Sequence, residues 1–387
     1  MKIAFVISCI ESKCGGLGGH YQSLAMTVTE LSKHHDVFVV VIGTEDVKTL
    51  DKLDLNVYSV LSRRFSYFST LKRIKRIIDE ESPDVVHAFD DLAFLWVRSI
   101  SDICRIPCCV TKCGGRNPIY WPKTSNLVLY SKENFDFFSS SAKFRNTNLL
   151  LLPHRIRKFD VDEARSQEMV HSINADHVYS RRILRIARIG PFYQRTAEQL
   201  IALVEKLRND GVDCCGILLG TVESTETLRH LKNLASMHVY FFTDQFFSRD
   251  AKGLLDVADV VVGTGRSLME AAALGKVVLC PVEDSELPLL IDEVSFGQAF
   301  EFNFSERTRM GNIGAESNYQ KILDAMQRDE KYEQLSDMSQ QFFEEHFDVA
   351  QIQVRLSEYY DNLRPTGRWF SIDWALHVLF VLRKYLQ

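Results

Sequence analysis

Several features are missing from this 387-residue chain, and each absence removes a class of function. There is no excess of positive charge: 46 Lys and Arg stand against 51 Asp and Glu, for a formal net charge of -5, so nucleic acid is not an expected partner. No long apolar run occurs either. The most apolar stretch, 369–386, is too short and too interrupted to cross a bilayer. The opening segment Lys2-Ile-Ala-Phe-Val-Ile7 enters a strand at once, without the longer apolar core and small-residue cleavage site of a signal peptide, which predicts a cytoplasmic protein. Cysteines are present, nine of them, but the usual C-x2-C pairs are not. Cys104, Cys108, Cys109 and Cys113 cluster in sequence, yet 106–111 reads as a buried strand whose neighbouring cysteines point to opposite faces. Neither a metal site nor a disulfide framework is expected, and no cofactor. The dinucleotide fingerprint is also absent. Cys14-Gly-Gly-Leu-Gly-Gly-His20 lacks the G-x-G-x-x-G spacing, and no acid follows at the end of the second strand.

What is present describes an ordinary globular chain, 46% hydrophobic and 25% charged, that exceeds the length one core usually fills. Apolar runs of strand length alternate with helical patterns, as parallel sheets with crossover helices require. The predicted strands are 2–7, 37–42, 57–60, 85–88, 108–111, 127–130 and 149–152, then 183–186, 214–219, 239–242, 260–262 and 277–280. A polar stretch, 153–180, reads as the linker between the two series. The fold class is therefore α/β, two Rossmann-like domains facing a central cleft, because open parallel sheets bind ligands at their carboxyl edges.

The segment Val260-Val-Val-Gly-Thr-Gly-Arg-Ser-Leu-Met-Glu-Ala-Ala-Ala-Leu-Gly-Lys-Val-Val-Leu-Cys280 joins two apolar strands through a glycine turn and a short helix. Gly263 and Gly265 permit a tight turn, Ser267 is a good N-cap, and amides at Arg266 and Ser267 would face an anion with the helix dipole behind them. Glu270 follows one turn later, placed to accept hydrogen bonds from sugar hydroxyls. Elsewhere, His87 closes the strand in Pro83-Asp-Val-Val-His-Ala-Phe-Asp-Asp91, where its imidazole could project from the edge. Arg188 and Arg195 follow the strand at 183–186, two fixed cations able to neutralise a diphosphate as it departs.

These motifs resemble those of the GT-B glycosyltransferases, in particular the retaining family 4. Gly263, Gly265, Glu270 and Ala271 match its donor signature, with Val262 standing where the family has a first glutamate. Gly18-Gly19 match the glycine pair of its first loop, Pro83-Asp-x-x-His87 its Pro-Asp-x-x-His segment, and Arg188 the arginine of its Gly-Arg-Leu motif, with Arg195 standing in for a downstream lysine. The resemblance implies a metal-independent, retaining transfer of a sugar from a nucleotide-sugar to a glycan or lipid-linked acceptor in surface polysaccharide synthesis. His87, Arg188 and Arg195 are then the catalytic candidates. Gly18, Gly19, Arg188, Arg195, Gly263, Gly265, Arg266, Ser267 and Glu270 are the donor-binding ones. Arg266 would bind the donor sugar in place of Val262, whose side chain cannot hydrogen-bond a hydroxyl. The implied domains are 1–155, with a C-terminal helix at about 346–387 packing back on it, and 156–345. Two other readings remain on this fold: a nucleotide-sugar 2-epimerase and a non-catalytic partner subunit. For the acceptor side, 62–78 mixes Arg63, Arg64, Lys72, Arg73, Lys75 and Arg76 with aromatic and aliphatic residues in a helical frame, which suits peripheral contact with an anionic membrane. The C-terminal 369–386 is a second amphipathic candidate, or else a docked tail helix.

Overall fold

A computed structural model describes residues 1–9, 19–43, 47, 49–51, 53–62, 66–175, 177–365 and 372–385. The chain divides into two compact units, Met1–Arg155 with Val349–Gln387, and Ile156–Asp348.

The first unit is built on β1 (Lys2–Cys9), β2 (Asp36–Gly43), β3 (Asn56–Leu61), β4 (Val85–Ala88), β5 (Cys108–Lys112), β6 (Asn126–Leu129) and β7 (Asn148–Leu151). Their order in the sheet is β3-β2-β1-β4-β5-β6-β7, all parallel. The second unit holds β8 (Arg181–Ile186), β9 (Cys214–Leu219), β10 (Val239–Phe242), β11 (Val260–Val262), β12 (Val277–Cys280) and β13 (Leu289–Leu290), in the order β10-β9-β8-β11-β12-β13. Each sheet therefore reverses its winding once, between β1 and β4 and between β8 and β11. In such sheets the loops diverge at the reversal and leave a crevice at the carboxyl ends of the strands.

The predicted strands are all found, most of them because strands covered on both faces must be continuously apolar, whereas β3 is largely exposed. Residues 37–43 of β2 and all of β9 are buried. The missed strand, β13, is two residues long and pairs antiparallel with β12, too short to show a period. The expected linker is not a bare one: Glu163–Asn174 is a helix, N-capped by the Asp162 side chain. Met169 and Ile173, four residues apart on one face, enter the second unit's core.

Apolar layers cover both faces of each sheet. The C-terminal segment adds to the first unit. In the helix Gln351–Asp361, Ile352, Leu356, Tyr359 and Tyr360 join the core layer that contains Ile3, Phe5 and Val39. The last helix, Ile372–Tyr385, docks as well: Asp373 reaches the fully buried Arg98 at 3.4 Å and Lys143 at 3.1 Å, and His377 Nε2 lies 3.0 Å from the Asp91 carbonyl. Among the described residues no helix is long and apolar enough to cross a membrane, and no group of three or more His, Cys, Asp and Glu side chains converges on one point.

Candidate active site in the second unit

The geometry of the site begins with β11, whose three valines are buried. At its carboxyl end Gly263 donates its amide to the Leu279 carbonyl, and a Cβ there would lie 2.7 Å from the backbone of Leu268, so no larger residue fits. Gly265 adopts a left-handed φ of 49° and donates its amide to the Phe304 carbonyl at 2.8 Å. That carbonyl is held at a strained corner. Asn303 and Phe304 both have left-handed φ, 55° and 51°, a conformation that costs about 1–3 kcal/mol per residue outside glycine. The Phe304 ring, wholly buried against Phe296, Phe300 and Phe347, anchors it.

The helix Arg266–Ala273 starts from this turn with Gly265 as its N-cap. Ser267 is thus inside the helix and caps nothing. Its hydroxyl accepts from the Thr264 amide and donates to the Thr264 carbonyl, and its own amide bonds that carbonyl at 3.2 Å. The expected anion-facing amide of Ser267 is therefore spent on bracing the turn. Glu270, one turn on, is nearly buried and accepts from Arg266 Nε at 2.8 Å. Burial raises its pKa, and the guanidinium opposes that rise. Arg266 is thereby directed to its own helix.

The arginines expected beside a diphosphate are held by other groups. Arg188, just beyond β8, donates to Glu223 at 2.7 Å and to the Tyr193 hydroxyl at 2.9 Å, and the bond to Tyr193 is the main cause of its raised pKa. Arg195, in the first turn of the helix Gln194–Asn209, donates through Nη2 to the carbonyls of Glu283 and Ser285. The 283–288 loop is tied down by these bonds and by Gln199, which donates to Val282 and Ser285. Val262, at the position of the missing acid, points its side chain into the core and offers only its backbone carbonyl.

A charged residue that motif reading passes over also reaches the turn. Arg185, on β8, is wholly buried. It donates to the Val262 carbonyl at 3.1 Å, to Thr196 Oγ1 at 3.0 and 3.3 Å, and to Thr264 Oγ1 at 3.4 Å. Desolvation pushes its pKa down to about 10. A charged residue in the middle of the otherwise apolar run Ile183-Leu-Arg-Ile186 is the signal that could have found it.

In the first unit, Gly18 lies outside the described residues, as do Arg63 and Arg64. Gly19 opens the helix Gly19–Leu31, and a Cβ there would meet nothing within 4 Å. His87 does not project from the strand edge. It is 1% exposed, with Nδ1 2.7 Å from the Tyr360 hydroxyl and Nε2 2.6 Å from Thr111 Oγ1, and burial pushes its pKa down to about 3. The helix Gln351–Asp361 covers it, which strand position alone does not reveal.

Two doubly wound units with a glycine turn at the second reversal define the class: the fold is that shared by GT-B glycosyltransferases and sugar-nucleotide epimerases. Similar solved structures include a glycosyltransferase from Rickettsia africae, with a TM-score of 0.68 at 15% identity over 93% of this chain and 98% of that one. Anabaena HepE in complex with UDP superposes with a TM-score of 0.67 at 15% identity, covering 94% and 100% of the two chains. The UDP-GlcNAc 2-epimerase from Neisseria meningitidis bound to UDP-GlcNAc gives 0.52 at 11% identity, over 93% and 99%. Residues 18–105 match the sequence family described as glycosyl transferase 4-like. No curated protein sequence matches the chain.

Proposed function

We propose that the protein is a glycosyltransferase that binds a nucleotide-sugar through its second unit and moves the sugar to a glycan or lipid-linked acceptor in surface polysaccharide synthesis. The observation that carries this reading is the Gly263–Gly265 turn, which opens a helix N-terminus at the sheet reversal and places the Glu270 carboxylate one turn further on. The turn presents helix-dipole charge to a diphosphate. Glu270 would accept from ribose hydroxyls once Arg266 turns toward the ligand. Arg188 and Arg195 are exposed and adjacent in sequence to the same edge, which suits them to engage the phosphates by exchanging their present partners.

In the transfer, the bond from the anomeric carbon to the phosphate oxygen breaks while the acceptor oxygen bonds that carbon on the same face. The acceptor's proton passes to the departing phosphate. The protein then supplies position and positive charge, and turnover is expected to survive EDTA. Glu270→Ala is expected to weaken UDP binding ten- to a hundredfold, the equivalent of about 1.5–3 kcal/mol for a charge-assisted hydrogen bond. Isothermal titration of the folded variant checks it, and unchanged affinity would remove Glu270 from the site.

A 2-epimerase is the second reading, favoured by the likeness to the epimerase fold and by Asp90, a carboxyl group at the first unit's reversal whose pKa is raised to about 6 by desolvation. Incubating a UDP-sugar without acceptor separates the two: a new sugar epimer, seen by NMR, supports the isomerase.

Membrane contact is proposed for the helix Tyr67–Glu81. An apolar groove of about 290 Å³ lies between it, Ile103 and Trp374, with Phe68 80% exposed at its rim and Lys72 and Arg73 on the same helix. Sedimentation with anionic but not neutral vesicles, reversed by salt, is the expected behaviour.

A further inference from the structure

The most unusual charge in the second unit is the Arg185 guanidinium. Its hydrogen bonds all end on neutral oxygens, the Val262 carbonyl and the hydroxyls of Thr196 and Thr264, and among the described residues no carboxylate pairs with it. A buried ion without a counter-charge is costly, and proteins ordinarily pair it. The surroundings make the imbalance larger. Thr196 sits in the first turn of the helix Gln194–Asn209, and Thr264 lies two residues before the helix Arg266–Ala273, so the cation stands beside two helix N-termini, each positive by its dipole. It also spans the reversal itself, since it reaches from β8 to the end of β11. Three sources of positive potential meet at one crevice, where no side-chain anion is hydrogen-bonded to the guanidinium and the Glu306 carboxylate attracts it only from beyond contact.

We propose that Arg185 is a positioning residue for a diphosphate: its planar fork holds the Val262–Thr264 segment in place from beneath, and its charge, bonded to no carboxylate, is the inner counter-charge to the ligand's phosphates. The proposal rests on the reading that the second unit binds a nucleotide-sugar, and it assigns that site a residue outside the glycine turn and the arginines beyond β8. Arg185 acts through the turn, because it has no exposed surface with which to touch a ligand. A lysine keeps the charge but not the fork, and a glutamine keeps a donor but not the charge. The two variants therefore divide the contribution.

The test is isothermal titration of the full-length wild type, Arg185→Gln, Arg185→Met and Arg185→Lys with UDP and with uridine, each variant checked for cooperative unfolding. In Arg185→Gln and Arg185→Met the affinity for UDP is expected to fall tenfold or more while that for uridine stays within about twofold, so the preference for the diphosphate disappears. Arg185→Lys is expected to keep most of that preference. A merely structural arginine would weaken UDP and uridine by the same factor, and that result would overturn the proposal, as would full UDP affinity in either neutral variant. If the neutral variants do not fold, Arg185→Lys decides: a fall in UDP preference as large as the wild type's whole margin over uridine overturns the charge role, and its retention supports it. A wild type that binds none of UDP, GDP, ADP or TDP would instead overturn the nucleotide reading itself.

Discussion

The two sheets reverse their winding at equivalent places, and the charges installed there are of opposite sign. Between β1 and β4 the bridging group is an acid: Asp90 accepts from the Ser8 amide at 2.7 Å and from the Ala93 amide at 2.6 Å, capping the helix Asp91–Cys104. Between β8 and β11 it is a cation, Arg185, donating to the Val262 carbonyl at 3.1 Å. The same mechanical task, tying one strand end to the next across the crevice, is done by an acceptor in one unit and by a donor in the other. The difference has a chemical consequence. An acid beside a helix start satisfies its amides from within, whereas a cation there leaves the local charge to be balanced from outside.

The largest expected effect lies in the first unit. His87 is held neutral, its pKa lowered from 6.5 to about 3, so its contribution is present above pH 6.5 and is lost as pH falls toward 3. The full loss is on the order of 5 kcal/mol. His87→Gln should remove that acid sensitivity, and urea unfolding at pH 7, 5 and 4 measures it. Equal slopes in the two proteins would mean that the imidazole is not the group being protonated. Asp90 gives the opposite slope. Its pKa is raised from 3.8 to about 6, so its contribution is complete below pH 3.8 and falls away as pH rises through 6, by about 2–3 kcal/mol. Because this slope opposes that of His87 over the same range, Asp90→Asn should make stability rise more steeply from pH 4 to pH 6 than it does in the wild type, whatever the substitution costs in absolute terms through removal of one acceptor oxygen.

A third change makes the second unit resemble the first. Thr264→Asp places a carboxylate where the Thr264 hydroxyl now accepts from Arg185, and neutralises the cation internally. UDP affinity should drop roughly 30- to 100-fold, about 2–3 kcal/mol, while the unliganded protein unfolds at a higher temperature. A variant that binds UDP normally would show that the sign of the charge at the reversal does not matter. The smallest effect belongs to the brace. Ser267→Ala removes two short-range bonds to Thr264 and is expected to cost about 1 kcal/mol in stability, read by denaturant unfolding.

Legibility is uneven in an instructive way. Strand positions are plain, since a parallel strand covered on both faces must be apolar throughout, and β9 and β11 show nothing else. The glycine turn is plain too: the Leu268 backbone 2.7 Å from a Cβ at Gly263 is what a Gly-x-Gly before a helix foretells. His87 escapes local reading because its fate depends on Tyr360, 273 residues away, and no nearby pattern reports such a neighbour. Serine favours the cap position, which makes Ser267 the expected cap, but the turn's geometry gives the place to Gly265. Arg185 is half-legible: a charge inside an apolar run marks it as unusual, but only the pairing of β8 with β11 reveals what it holds.

Local chemistry therefore determined the alternation of strands and helices, the two series of parallel strands, and the glycine turn that only small residues can form, because each depends on residues within one or two turns of one another. Tertiary structure alone decided which charges are spent and which remain. Arg266 closes on Glu270, Arg188 on Glu223 and Arg195 on the 283–285 carbonyls, while Arg185 is buried at the reversal with only neutral partners. Charge balance is a property of everything within a few ångströms in space, and strand order, which brings β8 beside β11 across some seventy residues, sets what those neighbours are.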